Sequence, residues 1–191
     1  RDLVRSRGLG DVYKRQSLGN PDGAEIIEAQ GAILCPGLVD MRAAIGEPGF
    51  EYRETIASAA QAAAAGGITS IAVLPETDPV IDDPALVRFL RSRGEETGSL
   101  SVLPYGAATR GLEGKELAEY GLMKAAGAVA FTDGSKAIAS SRTMRLALFY
   151  ASGFDMRIVQ HPEDVELARG AAATAGPRAT WMGLPSVCLL Y

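Results

Sequence analysis

Short apolar runs alternate along this chain with alanine-rich stretches of helical character, and that alternation restricts the fold to strands joined by crossover helices. A strand that returns to a parallel neighbour needs a connection of about a dozen residues or more, which the intervening stretches supply. The first run is Ala32 to Met41, and its apolar part ending at Asp40 reads as a buried strand. Glu54 to Ala65 is a strong helix former that ends at Gly66-Gly67, a pair suited to a left-handed C-cap. Ile68 to Leu74 follows as a β-branched strand, and Asp83-Pro84 then supplies an N-cap and a first-turn proline for a helix over Ala85 to Glu95. Ser101 to Ala107 is a third strand and Gly114 to Ala126 a third helix. Ala128 to Phe131 is the fourth strand, followed by a helix across Arg142 to Ser152. Met156 to Gln160 is the fifth strand, delivering His161, and Glu163 to Ala175 is a final helix.

These units define an α/β chain carrying about the first five strand-helix units of an eightfold β/α barrel, too few to close one. An open doubly wound sheet is the alternative, but the glycine-rich phosphate turn that often marks such sheets is missing. Gly111 to Glu116 (GLEGKE) lacks the glycine spacing and the Ser/Thr after lysine, and reads as a loop leading into a helix. Ser17 to Ile33 has too little apolar material for a core of its own and is expected to be the tail of a small β-domain. The barrel part is expected to run from Leu34 to Val187.

Both ends are expected to be non-native. Residues 1–16 resemble the translation of a sequencing-library adapter, and Cys188 to Tyr191 resemble the same adapter end read from the opposite strand. The other reading of the opening is a basic arm for nucleic acid or membrane. The whole chain has a formal net charge of −4, and residues 1–16 hold five Lys/Arg and two acids, so the remainder stands at −7. An acidic body without a basic run argues against nucleic acid as a partner. Removing Cys188 leaves Cys35 alone, which gives no disulfide framework and fits a reducing, cytoplasmic setting. Cys35 is expected to pack in the first strand, and Trp181 to pack near the end of the chain. No apolar run approaches the roughly 18 residues of a membrane span.

The order of short motifs resembles the cyclic amidohydrolases, most closely the dihydroorotase family. The matching residues are Pro36-Gly37-Leu38-Val39-Asp40, Glu47-Pro48-Gly49, Glu54-Thr55, Ala64-Ala65-Gly66-Gly67-Ile68-Thr69, Pro75, Thr77-Asp78-Pro79, Pro104-Tyr105-Gly106-Ala107, Gly127 to Asp133, and His161 with Glu163-Asp164. The resemblance implies a metal-dependent β/α barrel and the reversible cyclisation of carbamoyl aspartate to dihydroorotate in pyrimidine synthesis. It also implies zinc lowering the pKa of a water that attacks a ring amide carbonyl.

The resemblance further implies a site made of a His-x-His pair on the first strand, a following arginine for the substrate carboxylate, and an asparagine after the second strand. A fourth-strand aspartate, a fifth-strand histidine and two later residues complete it. Carried over by position, most of this set is replaced. Arg42 and Ala44 stand for the histidine pair, Gly46 for the arginine and Glu76 for the asparagine. In the fourth-strand loop the first acid is kept as Asp133, while the ligand position is Gly134. His161 keeps its place and is the only histidine in the chain. An arginine brings a permanent positive charge to where a dication would sit, and Glu76 would repel the carboxylates that Gly46 no longer attracts.

Three readings follow. The first is a dihydroorotase-like protein without zinc or catalysis, kept as a structural partner of aspartate transcarbamoylase and oligomeric when full length. The second is an active cyclic amidohydrolase with another zinc ligand set drawn from Asp40, Glu47, Asp133 and His161. The third is a small-molecule binder whose acid-lined pocket containing Arg42 suits a zwitterion or an amine. Each candidate also has an ordinary structural role: Asp40 capping the next loop or pairing with Arg42, Asp133 bonding locally in its turn, and His161 bonding a backbone carbonyl.

Overall fold

The computed structural model describes residues 33–187. The expected adapter-derived ends, and all but the last residue of the expected β-domain remnant, lie outside the described residues. Of a first unit, residues 1–36, the structure describes Ile33 to Pro36, an exposed stretch without regular structure. The second unit, residues 37–191, carries the fold.

The second unit alternates strand and helix: β1 (Leu38–Ala43), α1 (Ile56–Ala65), β2 (Ile68–Val73), α2 (Pro84–Thr97), β3 (Ser101–Pro104), β4 (Gly106–Ala107), α3 (Tyr120–Ala126), β5 (Phe131–Thr132), α4 (Ser141–Ser152) and β6 (Ile158–Val159). A short β7 (Ala173–Thr174), α5 (Pro177–Trp181) and β8 (Ser186–Val187) complete it. All strand pairs are parallel, in the orders β1-β2-β3, β4-β5-β6 and β7-β8. The first two sheets meet at Tyr105, whose N–H donates to Val73 O at 2.9 Å, while Gly106 N–H donates to Ala130 O at 3.0 Å. The expected third strand is therefore seen as two pieces, one pairing β2 and the other β5. The result is a parallel arc with helices on one face, a partial (β/α)8 barrel.

Local chemistry sets the helix ends. Thr55 and Ser58 form a reciprocal capping box on α1, and Asp83 accepts the Ala85 N–H at 2.7 Å ahead of Pro84 on α2. Ser140 caps α4 through the Thr143 N–H. Strand alternation then divides the apolar residues. Ile71 and Val73 pack with Ile56, Ala60, Val87 and Leu90 in the main core, while Ala72, Leu74, Tyr105 and Ala130 form a smaller cluster with Leu103.

Several expectations fail for identifiable reasons. The first strand is not buried: Leu38, Val39 and Met41 are mostly exposed, because β1 pairs only β2 among the described residues. Cys35 precedes that strand and is exposed, so it packs in no core. The helix expected over Gly114 to Ala126 begins only at Tyr120. Arg110 N–H donates to Glu116 O at 2.9 Å and Ala118 N–H to Ala108 O at 3.2 Å, which holds the preceding segment extended. The helix expected over Glu163 to Ala175 is absent. Asp164 takes the Glu166 and Leu167 N–H groups into one turn, Gly170 ends it at φ +76°, and Ala172 and Ala175 donate instead to Pro185 O and Val187 O. Trp181 is 88% exposed and does not pack.

Candidate functional site

The C-terminal ends of the strands converge on a small cavity of about 70 Å³. Met41 and Arg42 come from β1, Leu74 from the end of β2, Tyr105 from the β3–β4 junction, and Thr132 and Gly134 from β5 and its loop. Val159, Gln160, His161 and Pro162 line it from the end of β6. This is the face on which β/α barrels place their chemistry. Tyr105 ties the rim together, donating from its hydroxyl to Met41 O at 3.0 Å, and burial raises its phenol pKa.

Three of the singled-out positions meet here, namely Arg42, Gly134 and His161. Ala44 is exposed and does not line the cavity. Asp40 accepts the backbone N–H of Arg42 at 2.9 Å, which is the local capping role, so the Arg42 guanidinium is not its partner. Among the described residues that guanidinium forms no ion pair. His161 Nε2 lies 3.1 Å from a Glu163 carboxylate oxygen, so its partner is a side chain and not the backbone carbonyl expected for it.

The retained acids point elsewhere. Glu47, 4% exposed, accepts the Ile56 N–H at 2.8 Å at the start of α1 and pairs with Arg93 Nε of α2 at 2.8 Å. Glu47 and Glu96 together hold the Arg93 guanidinium above its ordinary pKa. Asp133, 2% exposed, accepts the Thr109 N–H at 2.8 Å and the Thr109 hydroxyl at 2.5 Å. Thr109 in turn accepts the Gly114 N–H at 2.8 Å, so one carboxylate anchors the loop after β4. Burial raises the Asp133 pKa against these hydrogen bonds; burial, and then the charge of Asp133, raise that of Tyr120. Asp133 is thus a clamp. Asp133→Ala is expected to cost about 2 kcal/mol by leaving the Thr109 donors unmet. Asp133→Asn keeps an acceptor for the Thr109 N–H and should cost less, a difference that urea melts of both variants would measure.

The two pocket-side replacements at Glu76 and Gly134 are linked in space. A Cβ on Gly134 would lie 2.4 Å from Glu76 Cδ and 2.5 Å from its Oε2, and the Ser135 hydroxyl donates to the same carboxylate. The Glu76 carboxylate therefore fills the volume that a side chain at position 134 would need. Gly46 is closed differently, since its Cβ would stand 2.1 Å from the backbone oxygen of Phe50. Among the described residues no group of three His, Cys, Asp or Glu side chains is arranged to hold a metal ion.

The expected acid-lined pocket is not found either. No acidic residue is among those lining this cavity, whose wall is mainly apolar, and the Glu76 carboxylate lies close by, against Gly134. Tyr105, Thr132 and Gln160 were not among the expected site residues. The rule that barrel chemistry sits at the carboxyl ends of strands would have marked all three.

An arc of parallel strands with helices on its outer face and a cavity at the strand ends is the architecture of the amidohydrolase barrels. The family model described as Dihydro-orotase-like matches residues 31–190, and the chain belongs to that family. It is 43% identical to the dihydroorotase of Pelobacter propionicus over 97% of this chain and 42% of that protein. It is 41% identical to the dihydroorotase of Acetivibrio thermocellus over 97% of this chain and 43% of that protein. Among solved structures it is similar to the L-hydantoinase (dihydropyrimidinase) from Arthrobacter aurescens, with a TM-score of 0.56 and 22% identity over 70% of this chain and 31% of that one. This last likeness concerns the fold alone. The chain spans about two-fifths of the length of the curated relatives it matches. No helix among the described residues is long and apolar enough to cross a membrane.

Proposed function

We propose that the chain is a dihydroorotase-like protein of pyrimidine biosynthesis that works in the cytoplasm without zinc or catalysis, as a structural partner of aspartate transcarbamoylase. The observation that carries this reading is the composition of the strand-end cavity. Arg42, Gly134 and His161 meet where the family resemblance puts metal ligands, and only His161 has an atom of the kind zinc takes. The residues present do not fit the metal, because tetrahedral zinc needs about three protein ligands and a fixed guanidinium repels a dication in the same space.

The reading with an alternative ligand set of Asp40, Glu47, Asp133 and His161 is not supported by the geometry. Glu47 is committed to Arg93 and the start of α1, Asp133 to Thr109, and Asp40 to the Arg42 N–H. A retained framework around a dismantled centre is what a scaffold role requires, since the outer surface is then the functional part.

Metal analysis of the protein purified without chelator is expected to give far less than the about one zinc per chain of a catalytic site. Pull-down with aspartate transcarbamoylase from the same source is expected to recover a stable complex. Stoichiometric zinc would overturn the first half of the proposal, and failure to bind the transcarbamoylase would overturn the second.

A further inference from the structure

We infer that the outer face of α4 is the docking surface for a protein partner whose contact face sets carboxylates around an apolar centre. The inference rests on the scaffold reading and deepens it, since it gives the transcarbamoylase of that reading a place to bind. Composition is the first ground. α4 carries Arg142 and Arg145 and no acid, on a chain whose formal net charge is −4. Both arginines are exposed, and neither guanidinium forms an ion pair among the described residues. On the same helix Phe149 is 80% exposed and Leu146 49%. A large aromatic so open to water marks a contact surface when it lies among other apolar and charged groups of one kind.

Geometry is the second ground. Thr143, Ala147 and Ala151 are the buried residues of α4. At roughly 100° per residue these three form one stripe, and Arg142, Arg145 and Phe149 form the stripe opposite. Tyr150 stacks on Tyr120 of α3 with ring centroids 4.8 Å apart, which marks the flank that α3 covers. Met144 and Leu148 lie on the other flank beside Ile138 and Gln160, where the next unit of a β/α barrel packs, so the exposure of Leu148 belongs to the fold. A neighbouring helix covers a flank and leaves the outward stripe free. The other long helices differ from α4. To solvent α1 turns Ser58, Gln61 and alanines, while α2 shows charges of both signs, Arg88 and Arg91 with Glu95 and Glu96.

Charge selects the occupant. A second copy seated face to face through α4 would bring the arginines of both copies together, and like charges repel. An anionic lipid surface would attract the two arginines but meet a chain of net negative charge. A protein face with local carboxylates pairs with Arg142 and Arg145 and takes Phe149 into its apolar centre. Buried aromatic and arginine side chains are the groups that concentrate binding energy in such interfaces.

The affinity of the full chain for purified aspartate transcarbamoylase from the same source, measured at low and at high salt, tests this. Binding by the parent is expected to weaken as salt rises. Phe149→Ala should weaken it about tenfold or more, and Arg145→Glu about as much with a flatter salt dependence. Arg88→Glu, an equal charge change on α2, should leave it unchanged. All three side chains are exposed, so the variants should keep the fold, which unchanged urea midpoints would verify. Phe149→Ala and Arg145→Glu binding as tightly as the parent, or an equal loss in Arg88→Glu, would overturn this inference alone. Absence of any complex with the parent would overturn the scaffold reading and this inference with it. Sedimentation of the chain with phosphatidylserine vesicles, lost in Phe149→Ala, would overturn the inference in favour of a membrane surface.

Discussion

Alanine at position 46 is expected to destabilise the protein by about 3 kcal/mol, the upper end of the cost of forcing atoms into a packed site. The added Cβ would lie 2.1 Å from Phe50 O and 3.0 Å from Glu54 O. Both are backbone atoms, so no side-chain rotation relieves the contact. The turn cannot easily retreat, because Phe50 N–H donates to Gly46 O at 2.6 Å and Arg53 N–H donates to Phe50 O at 2.9 Å. Glu54 immediately precedes the Thr55 cap of α1, which fixes it from the other side. Gly46→Arg, the change that would put back the carboxylate-binding residue implied by the family, meets the same backbone atoms. The urea midpoint of Gly46→Ala would measure this, with the slope checked for constancy. A variant as stable as the parent would mean that the turn opens freely and that the missing arginine could be replaced without cost.

The helices were legible where a local signal fixed an end. Gly66-Gly67 and Asp83-Pro84 act within a few residues of themselves, so α1 and α2 lie close to where the sequence puts them, and the structure adds Thr55 and Ser140 as the caps of α1 and α4. Elements decided by distant partners were not legible. The alanine-rich stretch after His161 has helical propensity, but the hydrogen bonds of Ala172 and Ala175 to Pro185 and Val187 outweigh it. The break at Tyr105 follows from two neighbouring strands that no local pattern records.

The candidate site divides in the same way. The convergence of Arg42, Gly134 and His161 could be anticipated, because strand-end positions of a parallel arc share one mouth. The direction of each acid could not. Glu47 turns to Arg93, forty-six residues on, and Asp133 turns to Thr109, twenty-four residues back. These long-range pairings take Glu47 and Asp133 out of the mouth that was expected to hold them. They also explain how Glu47 and Asp133 can be retained without chemistry, since removing either would leave buried donors unmet.

Replacing Arg42 and Ala44 together by histidine is expected to give the protein zinc without giving it a reaction. Position 42 shares the mouth cavity with His161, and position 44 lies two residues on, just past the end of β1, where a histidine side chain must reach back toward the mouth that Ala44 does not line. The double variant would thus offer three imidazoles in place of one and remove the repelling guanidinium, and three histidines form a sufficient set for catalytic zinc. Metal content should rise to about one zinc per chain. Hydrolysis of dihydroorotate should nonetheless stay at the uncatalysed rate. The substrate carboxylate would find Glu76 in place of a neutral donor, no arginine at position 46, and no carboxylate from position 134. Gly134→Asp is the easier of the remaining reversions, because aspartate tolerates the φ of +68° found there and the obstructing group is the mobile end of Glu76. Position 46 is obstructed by backbone and is the harder one. Measurable hydrolysis by the double variant would show that the metal alone limits activity and that positions 46, 76 and 134 are incidental. Zinc retention without turnover would show that binding of the metal and recognition of the substrate were lost at separable places in one mouth.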